Sequence, residues 1–496
     1  MKKSLSVFLI IYTLSLNSGL SQRIDAVWPI GYDCCNHQYF GAMNMDFTSG
    51  SLQINNVLRH QNFDETCGSI CDPNGNILFT SNGTYIANSA DDTMQNGNGL
   101  NPSYFTNQHL SAGLTVPQGN LVIPSLTDSN QYILFHNTID DYFSTGASLN
   151  LYTTTIDMSM NGGIGAVINK NTVIYNDSMT PGRIVATRHA NGRDWWITVR
   201  KLHSLQLVEF LYTPNGISGP YFQNLSVPRD FNGGQSAFNP QGTKYAYFEL
   251  TNGIELADFD RCTGQLSNRF HFYLNDSSYF QAGICFSASG RFLYVASVDH
   301  LYQYDTWASN VEASQILIAV NDGFADPITF NITQFWLMAL APDGRIYIST
   351  ASSTPYLHVI NNPDSLGTSC DLCQHCIQLP ALNAFTMPNF PNYYLGAEVG
   401  SVCDSLGVGV TELADGKNAI TIFPNPASNN ATIKYLISKN ALLIIVNSLG
   451  EVVQQISLSA ENQSATIDLS KLKSGAYTCK MVQEGKVDVG RLIVMH

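Results

Sequence analysis

The densest gathering of chemically capable residues is the stretch RIVATRHANGRDWWITVRK at 183–201. Arg183, Arg188, Arg193, Arg200 and Lys201 all fall within it, whereas residues 24–182 hold only Arg59 and Lys170. With His189, Asp194 and the pair Trp195–Trp196, this segment could build an anion or sugar site. Guanidinium forks suit carboxylates, and an aromatic face suits a sugar ring. Arg188, His189, Arg193 and Asp194 are therefore a candidate ligand patch. The competing reading is structural: Asp194 and His189 brace a turn while one Trp fills a core. That reading is the expected one.

The second candidate is SCDLCQHC, where Cys370, Cys373 and Cys376 are spaced C-x-x-C-x-x-C with His375 alongside. Thiolates and an imidazole at this spacing could hold zinc or part of an iron–sulfur cluster. No fourth ligand follows at a recognisable spacing, and in an exported chain disulfides are favoured over metal. Cys34, Cys35, Cys67, Cys71, Cys262 and Cys285 join these three as candidate disulfide cysteines, with connectivity left open. The chain has 11 cysteines, so at least one thiol stays unpaired. In GAYTCKMV, Cys479 alternates with Tyr477 and Met481 and is the expected leftover.

The motifs of common enzymes are missing. There is no G-x-S-x-G, H-E-x-x-H, P-loop or G-x-G-x-x-G, and no catalytic residue, metal site or cofactor is assigned. DPNGN at 72–76 and DGKN at 415–418 lack the repeated carboxylates of a tight calcium loop and read as turns. A triad assembled only in space stays open.

These groups must be carried by β-structure. Charged residues are only 12 % of the 496, so surface polarity comes from Asn, Ser, Thr, Gln and Gly. The formal charge of −14, with few basic clusters, argues against nucleic acid as partner. The amino terminus, MKKSLSVFLIIYTLSLNSGLSQ, has the three parts of a secretory signal peptide, residues 1–21, with cleavage expected between Ser21 and Gln22. No later segment is long and apolar enough to span a membrane as a helix. Helical periodicity is nowhere sustained over three turns.

The middle of the chain repeats a strand–turn–strand unit: CDPNGNILFTS, FNPQGTKYAYF, FSASGRFLYVA and LAPDGRIYIST, turning on Gly75, Gly242, Gly290 and Gly344. Degenerate copies centre on Asn130 and Gly192. A period of about four short strands is the signature of a β-propeller. The period predicts seven blades over 22–398, six being the alternative. The unaligned blade is expected to combine YFGAMNMDF from the amino-terminal side with NYYLGAEV near residue 395. Residues 399–418, rich in Gly, Ser and Asp, read as a linker and cleavage region.

Two resemblances follow from quoted phrases. Segments such as SICDPNGNILFTSNGTYI, RHANGRDWWI, DFDRCTGQLSN and APDGRIYIS resemble a family of secreted propeller-like proteins of bacteria that use type IX secretion. That family brings no assigned ligand or reaction. FPNPASNNATIKY, IIVNSLGEVV and IDLSKLKSGAYTCKMVQEGK resemble a type IX secretion type A sorting domain over 419–496. Its motif residues here are Phe423, Pro424, Asn425, Pro426, Gly450, Gly475 and Tyr477. The alternation of the same residues predicts a small Ig-like β-sandwich. The terminal VMH departs from the basic ending more usual in that family. The resemblance implies export by the Sec translocon and then the type IX machinery, to the cell surface or the medium. The expected whole is an all-β chain in which a propeller binds a glycan or surface protein. A secreted hydrolase or lyase is the first alternative, and a structural component of an adhesive layer the second. Paired carboxylates at the channel mouth would favour the enzyme, and an aromatic, amide-lined mouth the binder.

Overall fold

The computed structural model of the chain describes residues 23–33, 39–226, 234–249, 253–274, 276, 281–404, 420–435, 437, 439–447, 452–483 and 486–495. Ser21, Gln22, Cys34, Cys35, Gly450 and the stretch 405–419 lie outside the described residues. The chain divides into two compact units, Met1–Leu406 and Gly407–His496.

The first unit is a β-propeller, a ring of antiparallel meanders. Strand β1 (Val27–Tyr32) opens a three-stranded meander with Gly41–Asp46 and Gln53–Val57. Strands β2 (Gly68–Cys71), β3 (Asn120–Pro124), β4 (Val185–Arg188), β5 (Gln235–Phe238), β6 (Gln281–Phe286) and β7 (Phe335–Leu340) each open a four-stranded meander. The meanders of β2 and β3 merge into one eight-stranded sheet through a single parallel pair, Ala166 with Gln95. First strands face one another around the axis; Arg183 and Ile184, entering β4, donate backbone hydrogen bonds to Pro117 and Gln118, entering β3. The ring closes without a strand ladder, by packing and by single hydrogen bonds such as Leu382 N to Tyr39 O and Gly31 N to Asn383 Oδ1. Trp28 of β1 meets Tyr347 of the last meander edge-on at 6.3 Å, and Met43, Leu357 and Leu379 complete that layer.

The repeated glycine turns are legible in this ring. Gly75, Gly192, Gly242, Gly290 and Gly344 all have positive φ and each joins the first strand of a meander to its second. A left-handed residue is needed there, which glycine adopts without a Cβ clash. At Gly192 the requirement is double, since a Cβ would lie 2.4 Å from the backbone nitrogen of Ala397. These turns, with the third-to-fourth connections, define one end of the ring, called here the glycine-turn end. The remaining connections of the four-stranded meanders form the opposite end, whereas in the first meander the connection after Asp46 lies at the glycine-turn end, with Thr48 beside Gly75.

One expectation is corrected. The first meander is built wholly from residues 27–57, and NYYLGAEV contributes no strand to it. The amides of that segment bond elsewhere, Tyr394 N to the Asn392 side chain, Leu395 N to Asn392 O and Glu398 N to Ala190 O, so it forms no ladder with the first meander.

The cysteine reading is also corrected. Cys67, Cys71, Cys285 and Cys370 are free, buried thiols, and burial pushes Cys67, Cys71 and Cys285 up to about 12. Cys71 ends β2 and Cys67 immediately precedes it. Four residues of extended chain span about 13 Å, far beyond disulfide reach. Within the C-x-x-C-x-x-C run, Cys373 and Cys376 pair while Cys370 packs beside Phe335 and Ile360. Cys262 pairs with Cys403, which lay outside the candidate set. Asp72 forms the expected turn: its carboxylate accepts from the backbone of Asn74 and Asn76.

The second unit is a β-sandwich. Ile420–Phe423, Asn430–Tyr435 and Ser464–Asp468 form one sheet; Val452–Leu458, Ala441–Val446, Gly475–Gln483 and Lys486–Val494 form the other. Ile433 and Ile467 from the first sheet and Leu443, Ile445 and Leu492 from the second are fully buried between them. Cys479 is buried there with Tyr477 and Met481, on the face their alternation predicts. Asn425 fastens the Pro-Asn-Pro turn to the last strand, accepting from Ile493 N at 2.8 Å and donating to Arg491 O at 2.7 Å. Gly475 starts the strand that carries Tyr477, whose hydroxyl donates to Lys473 O at 2.7 Å. Phe423 lies under the Lys434 ammonium at 5.2 Å.

Candidate binding site on the propeller axis

After the last strand of the ring, Leu372–Asn383, the chain turns inward and residues 384–397 run along the first strands as a strap. Thr386 Oγ1 donates to Asp64 O at 2.6 Å, near the opposite end. Asn389 Nδ2 donates to Asn120 O at 2.9 Å and Ile184 O at 2.8 Å, so one side chain joins β3 to the approach of β4. The Tyr393 hydroxyl donates to Val122 O at 2.7 Å. Arg261 then donates to Gly396 O at 2.6 Å, and the Glu398 amide to Ala190 O at 2.8 Å, at the glycine-turn end. Buried carbonyls of this kind need partners, and the asparagines of TMPNFPNYY supply what the prolines cannot. Beyond the strap, Cys403 is held to Cys262.

Between the strap and the ring a cavity of about 600 Å³ opens at the glycine-turn end. Its walls come from β4 to β7, from Trp28 and Phe47, and from the strap residues 388–392 with Tyr394. Phe238, Phe286 and Phe390 add aromatic surface, and Gln118, Gln235, Asn239, Asn389 and Asn392 add amides. The amides are occupied in holding the shape. Gln118 accepts from Ser236 N and donates to Ser236 O and to Asn389, while Gln235 accepts from Ile284 N and donates to Met338 O. What the cavity offers a guest is therefore ring faces and aliphatic walls. Among its lining residues Asp25 is the only carboxylate and Arg23 the only cation. Burial raises the Asp25 pKa, against the hydrogen bond it accepts from the Tyr394 hydroxyl.

Arg188, His189, Arg193 and Asp194 are brought together, in the turn between β4 and its partner strand, and none lines the cavity. Most of their donors bond within the fold, the buried Arg188 Nε being an exception. Arg188 lies over the buried Trp195 ring at 4.2 Å and donates to Arg193 O at 2.8 Å and to Tyr393 O on the strap. His189 Nε2 stands 2.9 Å from Cys262 O, beside the disulfide. Asp194 accepts from Arg193 Nε at 2.6 Å and Asn191 Nδ2 at 2.8 Å. The cluster's bonds brace the turn and the strap's exit, and Trp195 is buried in the core.

The composition of the sequence did not reveal Asp64 and Glu65, which precede β2 at the opposite end. Glu65 is buried and accepts from Trp336 Nε1 at 3.0 Å, a contact spanning 271 positions. Burial pushes Glu65 up to about 7 and Asp64 to about 6; the neighbouring Arg183 guanidinium draws Glu65 back. The pair is packed beneath the loops and does not line the cavity. Among the described residues, no three of His, Cys, Asp and Glu cluster as a metal site.

Residues 421–495 match the family described as a secretion system C-terminal sorting domain. A domain of this family carries the type IX secretion signal, which places the protein at the cell surface or outside the cell. No helix among the described residues is long and apolar enough to cross a membrane. No curated protein matches the chain. Similar solved structures include a Pseudomonas aeruginosa periplasmic gluconolactonase, at 10% identity and TM-score 0.41 over 72% of this chain and 99% of that one. A functionally unknown protein from Desulfotomaculum acetoxidans DSM 771 is similar at 12% identity and TM-score 0.37, over 73% and 99%. The Cps50 β-propeller domain of Myceliophteria thermophila is similar at 10% identity and TM-score 0.32, over 75% and 95%. Likeness at this level says nothing of chemistry.

Proposed function

We propose that this chain, exported through its carboxy-terminal sorting domain, is a binding module whose propeller captures a ligand in the axial cavity at the cell surface or outside the cell. The observation that carries this reading is the cavity wall. It presents aromatic faces set by internally bonded amides, and a single carboxylate, Asp25, where an acid–base hydrolase needs two facing carboxylates. A rigid ring with one enclosed mouth suits capture. In this reading the three-stranded meander and the six four-stranded ones serve as seven blades of a propeller spanning 22–398. Residues 399–418 are the linker at which the sorting domain, 419–496, is removed. The glycan or surface-protein class of ligand stays with this proposal.

The test is a binding screen of the secreted protein against polysaccharides, matrix proteins and mucin-type glycans, with every bound ligand weighed before and after contact. The Ala339→Phe variant, which fills the cavity from β7, is expected to lose the captured ligand while melting at the wild-type temperature. A ligand returned shortened, or captured equally by Ala339→Phe, would replace this reading with an enzymatic or peripheral one.

A further inference from the structure

Far from the cavity, at the opposite end of the ring, a knob of aromatic side chains stands in solvent. It is built from two connections. The short helix Tyr104–Gln108 supplies Tyr104, and the loop 137–147 supplies Tyr142 and Phe143. The three rings pack on one another, with centroids 4.7 Å apart for Tyr104 and Phe143, 5.2 Å for Tyr142 and Phe143, and 5.8 Å for Tyr104 and Tyr142. Phe105 roots the knob: it is buried against Leu114 and Val116 and touches Tyr142 at 5.6 Å. Asp141 fixes the loop by accepting from the backbone and hydroxyl of Thr145. Even so, Phe143 is 77% exposed and both tyrosines about half exposed. Clustered, ordered apolar surface of this kind marks an interaction site.

The charge around the knob selects its occupant. Of the carboxylates in residues 60–169, Asp64, Glu65, Asp140 and Asp141 lie at this end of the ring, and that stretch holds no Lys or Arg. Asp140 and Asp141 directly precede the exposed rings, and Asp64 lies within electrostatic reach of His109, which packs on Phe105 at 4.1 Å. An anionic partner would be repelled here, and a neutral glycan would gain local hydrogen bonds from a carboxylate but nothing from the surrounding field. A cation gains twice, from the negative ring faces and from the surrounding field. The knob is convex and no cavity adjoins it among those described, so a small amine would stay mostly hydrated; an extended chain bearing several cations would not.

We propose that the Tyr104–Tyr142–Phe143 knob docks a basic polypeptide segment, its arginine or lysine side chains lying over the rings while Asp140 and Asp141 face their charge. The site is separate from the axial cavity and stands or falls without it. Titration of an arginine–serine repeat peptide into the full secreted protein at low salt tests it. Binding is expected, weakening as salt rises. Phe143→Ala is expected to weaken it about tenfold, the loss of one good cation–π contact. Phe143→Leu, which keeps apolar bulk and removes the ring, is expected to weaken it equally. Glu312→Gln, which removes one exposed charge at the glycine-turn end, and the cavity-filled Ala339→Phe are expected to bind as wild type. Failure of the peptide to bind overturns the proposal. So does wild-type binding by Phe143→Leu, an equal loss in Glu312→Gln, or displacement of the peptide by a neutral polysaccharide.

Discussion

Cys403 is joined to Cys262 across 141 positions of sequence, with their Cα atoms 5.5 Å apart. The bond fixes the end of the strap to the third-to-fourth connection of the β5 meander, just where the described part of the first unit ends. It makes the path of residues 384–403 along the axis a closed loop rather than a tail.

Cutting that bond by Cys403→Ser is expected to lower the stability of the first unit by about 2–4 kcal/mol, the usual worth of a native disulfide closing a long loop. Amide exchange in residues 388–397 should rise well before exchange in the outer strands of the ring. Chemical denaturation and exchange mass spectrometry measure the two effects. Unchanged protection of the strap would mean that Asn389 and Tyr393 hold it unaided.

Glu65 gives the fold a pH dependence of definite sign. Its ordinary value is 4.5 and burial raises it to about 7, so the folded chain keeps this proton where the unfolded chain has lost it. Stability from this group is therefore present at low pH and falls as pH rises from about 4.5 through about 7. Glu65→Gln keeps an acceptor for Trp336 and removes the ionisation, so the variant should lose this decline, on the order of 2 kcal/mol across that window. Melting curves at several pH values decide it. A parallel pH profile for variant and wild type would show that Glu65 is not the group responsible.

In the sorting domain, Asn425→Ala removes both hydrogen bonds between the Pro-Asn-Pro turn and the last strand. A loss of about 1–3 kcal/mol in that unit is expected, along with a matching drop in the amount of protein reaching the cell surface. Deleting 419–496 altogether should leave the propeller in the periplasm. Fractionation with an antibody to the first unit reads both outcomes, and normal export of the deletion would defeat the role assigned to the domain.

How far the sequence speaks for the structure depends on the range of each interaction. The glycine turns are legible because each is decided within four residues by one left-handed position, and the alternation around Cys479 places it correctly in a core. The strap is not legible. TMPNFPNYY reads as a loop, and its meaning lies in partners such as Asn120 and Ile184, 269 and 205 positions away. The same limit hid the pairing of Cys262 with Cys403 and the contact of Glu65 with Trp336. The surroundings of Arg188 and Arg193 are hidden for a related reason. Their partners include Tyr393 O, 205 positions from Arg188, as well as the neighbouring Asp194.

The clasp between Cys262 and Cys403 also sets how the propeller answers a pull. Tension applied through the residues that follow 403 reaches a covalent cross-link before it reaches the strap. It passes into the body of the ring at the turn after Phe259 instead of drawing Tyr393 and Asn389 out along the axis. A propeller held by its trailing end in flowing liquid would keep its cavity shaped under drag. The load would then be carried around the ring, across the seam between the first and last meanders that Trp28 and the Leu382–Tyr39 hydrogen bond hold shut.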